Sequence, residues 1–168
     1  MDYSFHLKSY ETNRERLRSL TVNLTQGVAE CPASKGGWTP AQVIAHIAIA
    51  DQFYLHAMER GAESGLSGAP TRSPLIVIGT FLMNRAIPVP APKEMEPPVA
   101  MQMSVAITTY DRIGAQMLDW LHSVQEPTTG VIAHIPQLGG NVSAHQLLSM
   151  LDSHVRYHSI RLERYLPG

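Results

Sequence analysis

Two histidines, His154 and His158, stand four residues apart in a stretch with helical apolar spacing. On a helix that separation places them one above the other, with Cβ atoms about 5–6 Å apart. Two imidazoles so placed can converge on one divalent cation at about 2.0–2.1 Å. Both fall on the stripe Leu147, Leu151, His154, His158, Leu162 and Tyr165, where leucine or isoleucine is expected. A buried imidazole whose ring nitrogens lack partners costs about 1–3 kcal/mol. The placement therefore calls either for a shared cation or for a carbonyl or tyrosine beside each ring. His46 shares an inward stripe with Val43, Ala50, Phe53 and Ala57. Three inward histidines from two helices predict a three-nitrogen site with one position open, as in catalytic rather than closed structural zinc sites. Zinc or nickel suits such a donor set first, with iron and copper also within its chemistry.

The other five histidines read as non-ligands. His56 lies about 100° from the inward stripe of its helix, which predicts a surface position. His122 sits near a helix end, where a cation is favourable. His145 and His6 lie near helix starts, and His134 in a loop. Asp51 and Asp152 fall off the inward stripes by spacing, so no carboxylate stands out as a general base. The chain has no phosphate-binding glycine loop, no Gly-x-Ser-x-Gly elbow and no His-Glu-x-x-His. Cys31, beside Pro32, reads as an inert thiol.

Four long helices are needed to position these side chains. The first spans about residues 4–29, with a stripe through Tyr10, Leu17, Leu20, Leu24 and Val28. Lys8, Arg14, Arg16 and Arg18 fall largely off it. The second opens at Thr39-Pro40-Ala41-Gln42, a capping box with proline in the first turn, and runs to about Arg60. Residues 62–98 are rich in Gly, Pro and Ser; within them Ser73-Pro74 predicts a short capped helix reaching about Arg85. Five prolines between Pro88 and Pro98 then enforce an extended strap. The third helix, about residues 101–124, carries the seam Met103, Ala106, Tyr110, Ile113, Met117, Trp120 and Val124. Steps of three and four suit helices packed nearly parallel. The fourth starts at the capping box Ser143-Ala144-His145-Gln146 and ends at Tyr165 or Leu166. Four stripes and one long crossover predict an all-α four-helix bundle, residues 1–168 forming one domain, whose second and third helices run parallel.

Composition narrows the function classes. The 168 residues carry 13 basic and 14 acidic side chains, a formal net charge of −1, with no basic block of the kind a nucleic acid requires. No apolar run approaches the roughly 18–20 residues that span a bilayer. A single cysteine and the absence of a leader pattern at the N-terminus predict a cytoplasmic, reducing location.

Three segments together resemble the DinB-like family. Trp38-Thr39-Pro40-Ala41-Gln42-Val43-Ile44-Ala45-His46 resembles its tryptophan, Ser/Thr-Pro, then histidine opening of the second helix. His134-Ile135-Pro136-Gln137-Leu138-Gly139 is similar to its loop before the last helix, and Ser143 to Leu166, with His154-x-x-x-His158, to that helix itself. The resemblance implies an up-down-down-up bundle, a divalent metal on His46, His154 and His158, and a homodimer. It also implies a small-molecule substrate and a low-molecular-weight thiol, because relatives include thiol-dependent S-transferases and isomerases. One departure is visible: relatives often place glutamine three residues after the second histidine, where this chain has Arg161. An arginine there suits an anionic group, so Arg161 is the candidate substrate-binding residue. Three functions follow as expectations: thiol S-transfer, metal-dependent hydrolysis, and a non-enzymatic stress or binding role with a structural metal.

Overall fold

Hydroxyl caps decide where the two site-bearing helices begin. In α3 (Pro40–Glu63) the Thr39 hydroxyl accepts from Gln42 N, and Thr39 N donates to the Gln42 side chain. Ser143 and Gln146 repeat this at the start of α6 (Ala144–Leu162). Each box satisfies two backbone donors that a helix start leaves open. The structure, a computed structural model, describes residues 3–22, 24–32, 37–66, 68–124 and 130–165. The remaining helices are α1 (Tyr3–Val22), the short α2 (Gln26–Ala29), α4 (Pro74–Asn84) and α5 (Met103–Ser123).

Side-chain pairs fix the directions of the four long helices. Along α1 and α6, His6 meets Asp152, Asn13 also meets Asp152, and Arg16 meets Glu163 just past the end of α6, so the two run parallel. Gln42 of α3 donates to the carbonyls of Pro98 and Val99, just before α5. Further along, Arg14 joins Asp51 of α3 to Tyr110 of α5, so α3 and α5 also run parallel. Tyr3 of α1 donates to the Leu121 carbonyl near the far end of α5, which makes the two pairs antiparallel to each other. The result is the up-down-down-up four-helix bundle. Its crossover from α3 to α5 carries α4, capped by Ser73 as the sequence predicts. No described helix is long and apolar enough to cross a membrane.

Several expectations need correction. The first helix stops at Val22 and α2 is separate from it. His134 lies in a strand, not a loop: β1 (Val131–Ile135) pairs antiparallel with β2 (Gly140–Ser143), with a bulge between Val131 and Ala133. The hairpin seats against α3 at Gly61, where an added Cβ would fall 2.0 Å from the Ile132 carbonyl oxygen. The expected end of the last stripe, the Tyr165 side chain and residue 166, lies outside the described residues.

The larger correction concerns charge. Arg14, Asp51 and Asp152 are buried rather than off the helix faces that pack. The buried side of α1 reads Tyr10, Arg14, Leu17 and Thr21, alternating steps of four and three, so Arg14 occupies a seam position. Its guanidinium pairs with Asp51, donates 2.8 Å to the Tyr110 carbonyl and 3.0 Å to the Tyr10 hydroxyl, and stacks 3.9 Å above the Tyr110 ring centroid. Tyr10 in turn donates 3.0 Å to Asp51. Burial lifts the Asp51 carboxyl above its ordinary value, against the opposing pull of Arg14 and Tyr10. Burial also works against the Arg14 cation, but Tyr10 and Asp51 outweigh it and hold the proton on. One polar cluster thus clamps α1, α3 and α5. Asp152 faces α1 instead, accepting from Ser9 at 2.9 Å and Asn13 at 2.8 Å.

Gly114 of α5 leaves the space that Arg14 fills, since an added Cβ would fall 1.8 Å from its Nη2. On helix propensity alone Gly114→Ala should stabilise by about 1 kcal/mol. Displacing a buried, paired guanidinium costs about 3–5 kcal/mol. We expect a net loss of roughly 2–4 kcal/mol in urea unfolding; an unchanged or higher midpoint would show that Arg14 is not held there.

Candidate metal centre

α3 and α6 cross with His46 facing His154 and His158. The Nε2 atoms of His46 and His154 lie 3.1 Å apart, as do those of His158 and His154. All three donors lie within 4.8 Å of one another. The three predicted residues therefore meet at one place. His46 and His158 are buried, and His154 is half-buried at the pocket floor. His56 is exposed. His6, His122 and His134 bond Asp152, Glu11 and Asn141 respectively, and His145 packs edge-on against His6. None of these five joins the cluster.

Whether a cation fits depends on what these nitrogens can do without one. His46 Nδ1 donates 2.7 Å to the carbonyl of Met95, which leaves a lone pair on its Nε2. His154 Nε2 then faces two ring nitrogens with only one in-plane direction, carrying either a proton or a lone pair. A hydrogen bond can satisfy one of the two contacts and leaves the other unfavourable. A single cation satisfies both. Ligands about 2.0–2.1 Å from a four-coordinate ion sit roughly 3.3 Å apart, close to the 3.1 Å of the two contacts to His154. The Nδ1 atoms of His154 and His158 are buried without a protein partner, so no protein group fixes their tautomer. A cation on Nε2 would fix it, with the proton on Nδ1.

Burial keeps all three rings neutral, which is the ligating form. Desolvation is the largest influence on each. His154 is pushed down to about 3, with His46 adding to the effect. His158 falls well below its ordinary value, helped by His154, His46 and Arg161. His46 is lowered, though its bond to Met95 opposes the shift.

Sequence reasoning missed the ring's immediate supports. Met95 lies in a one-turn helix, Lys93–Met95, within the proline strap. That strap is tied to α3 by the two Gln42 bonds already described. Nothing in the sequence marks Met95, because its contribution is a backbone carbonyl. Trp38 packs on His46 and Tyr157 on His158, each with ring centroids 4.8 Å apart. Above the cluster opens a pocket of about 500 Å³, walled by α4, the strap, α3 and α6. Ile76, Met83, Leu138 and Met150 give it apolar sides. Among the described residues no carboxylate lines it. Although Asp51 and Asp152 are buried, both face away from this pocket, so the expectation of no evident general base stands. Arg161 is at its wall.

The depressed values have a consequence for the metal-free protein. In the unfolded chain a histidine takes up its proton near pH 6.5, while folded His154 refuses one until about 3. Between those limits the unfolded state binds more protons, so stability falls as pH is lowered. The slope is at most about 1.4 kcal/mol per pH unit for this ring. Chelator-treated protein should lose stability below pH 6.5, and His154→Phe should flatten the decline. Equal slopes for the two proteins would mean that His154 titrates normally.

The sequence profile of the DinB superfamily matches residues 9–159. Among solved structures, YfiT from Bacillus subtilis is similar in fold, with a TM-score of 0.61 and 13% identity, covering 97% of this chain and 85% of that one. It is described as a probable metal-dependent hydrolase with an unusual four-helix bundle topology. No curated protein matches the chain. With nine-tenths of its length inside the profile and the helix directions of the bundle traced above, the chain belongs to the DinB superfamily.

Proposed function

We propose that this protein is a divalent-metal-dependent S-transferase. His46, His154 and His158 hold the ion, and a low-molecular-weight thiol is the nucleophile. The observation that carries this reading is the double contact of His154 Nε2, 3.1 Å from both neighbouring rings at the floor of an open pocket. A divalent ion there would supply Lewis acidity, favouring the thiolate of a coordinated thiol over its protonated form. Zinc or nickel suits three neutral imidazoles best.

The surrounding residues have separate tasks. The Met95 carbonyl aims His46. Trp38 and Tyr157 cover two of the three rings and keep water from their faces. The apolar walls take the body of the second substrate. In the net reaction the thiol sulfur bonds to an electrophilic carbon, and the leaving group departs with its bonding pair and the thiol's proton. With no carboxylate among the described residues that line it, the pocket favours a nucleophile that ionises readily over water that must be deprotonated by a neighbouring base. Hydrolysis is the second reading, supported by the description of YfiT; there water replaces the thiol.

Protein purified without a polyhistidine tag should contain about one divalent ion per chain, and His154→Ala should weaken its binding by about two orders of magnitude or more. With an electrophilic aryl halide, turnover should require both the ion and an added thiol such as cysteine or glutathione. Metal-dependent turnover of an ester without thiol would replace transfer by hydrolysis. Metal-free native protein that is unaffected by His154→Ala would sink both.

A further inference from the structure

Among the described residues that line the pocket, Arg161 is the one with a permanent charge. It meets no carboxylate there: its recorded partner is the hydroxyl of Tyr157, to which Nη1 donates at 2.5 Å, and its guanidinium carbon lies 5.4 Å from that ring's centroid. Arg161 is exposed, while Tyr157 is itself buried and packed against His158, so the bond ties one end of the guanidinium to a fixed point at the pocket wall. A cation in the last turn of a helix also interacts favourably with the terminal carbonyls. That role alone does not require a bond to a pocket-lining tyrosine.

We propose that Arg161 and Tyr157 form an anion-binding subsite, and that the second substrate is an amphipathic organic anion. Its carboxylate, sulfonate or phosphate meets Arg161 while its apolar body fills the pocket. This rests on the pocket being the substrate site, but not on the metal. Arg161 follows His158 by three residues on α6, an axial rise of about 4.5 Å. The anionic group and the atoms over the histidines therefore share one face of one helix. Arginine presents a planar fork of N–H donors suited to two oxygens at once. Having accepted from Arg161, the Tyr157 hydroxyl keeps its own hydrogen to donate. Ile76, Met83, Leu138 and Met150 supply apolar wall for the body of the ligand, and Arg161 is the one lining side chain with a permanent positive charge among the described residues.

Octanesulfonate and 1-octanol share one apolar chain and differ in charge, and the sulfonate coordinates metals poorly. Isothermal titration calorimetry should show octanesulfonate binding at least about tenfold more tightly than octanol to the wild-type protein. Arg161→Gln should abolish that preference while leaving octanol affinity unchanged, and Arg161→Lys should retain part of it. The preference should persist after chelation, so a failure of the metal reading would leave this result standing. Three outcomes overturn the proposal: equal binding of the two probes, a preference that survives Arg161→Gln, or one that appears only with zinc present. Loss of octanol binding in Arg161→Gln also overturns it, by making Arg161 a structural residue.

Discussion

A ring nitrogen has one in-plane direction in which to bond, and His154 Nε2 has two neighbours in bonding range. That mismatch is the constraint around which this molecule is arranged. Neutral imidazoles cannot resolve it among themselves, and protonation is opposed because burial drives the His154 value down to about 3. A fold that brings three such rings together, and keeps them together with a backbone carbonyl on one side and aromatic faces on two others, maintains an unfavourable contact that a cation would relieve.

Holding that contact requires α3 and α6 to keep their spacing, and each does so by being buried on more than one face. α3 lines the pocket with Val43, His46, Ala50 and Tyr54, while Ile44, Ile47, Asp51 and Met58 are buried without lining it. On that second face Asp51 is locked to Arg14, whose guanidinium also reaches the backbone of α5. Replacing such a pair with apolar groups is often neutral or favourable for stability. Its effect here is geometric: Arg14 fits the notch over Gly114, so α1, α3 and α5 have one mutual register. Asp152 does the same between α6 and α1, accepting from two side chains of α1. The polar clusters on the outer faces therefore set where the histidines on the inner faces meet.

The same two-sidedness explains what could and could not be read in the sequence. Capping boxes at Thr39 and Ser143, the Ser73 cap, the seam of α5 and the three site histidines were legible because each is a local pattern. Asp51 and Asp152 were misplaced because a single stripe was sought on each helix. A helix between two neighbours carries two stripes, and its second stripe can hold charge. Arg14 lay at a seam position, between Tyr10 and Leu17, and only its charge argued against burial. The hairpin was hidden because its strands, Val131–Ile135 and Gly140–Ser143, are too short for their alternation to stand out from a connection. Met95 left no signal, since any residue but proline would supply the same chain direction and every residue has a carbonyl.

The distribution of charge inside the fold is what connects architecture to chemistry. Among the described residues both buried carboxylates lie outside the pocket and have partners there, Asp51 through Oδ2 with Arg14 and Tyr10, Asp152 with Ser9 and Asn13. They are spent on holding helices in place, which leaves the pocket with donors, lone pairs and apolar surface but no described base. A site of that kind is poorly suited to chemistry that begins by pulling a proton from an unactivated group. Among the described residues that line it, Arg161 carries the one permanent charge, and the neutral imidazoles present a three-nitrogen donor set suited to a cation. The clusters that hold Asp51 and Asp152 elsewhere thus leave Arg161 as the one permanently charged side chain among the described residues of the pocket wall.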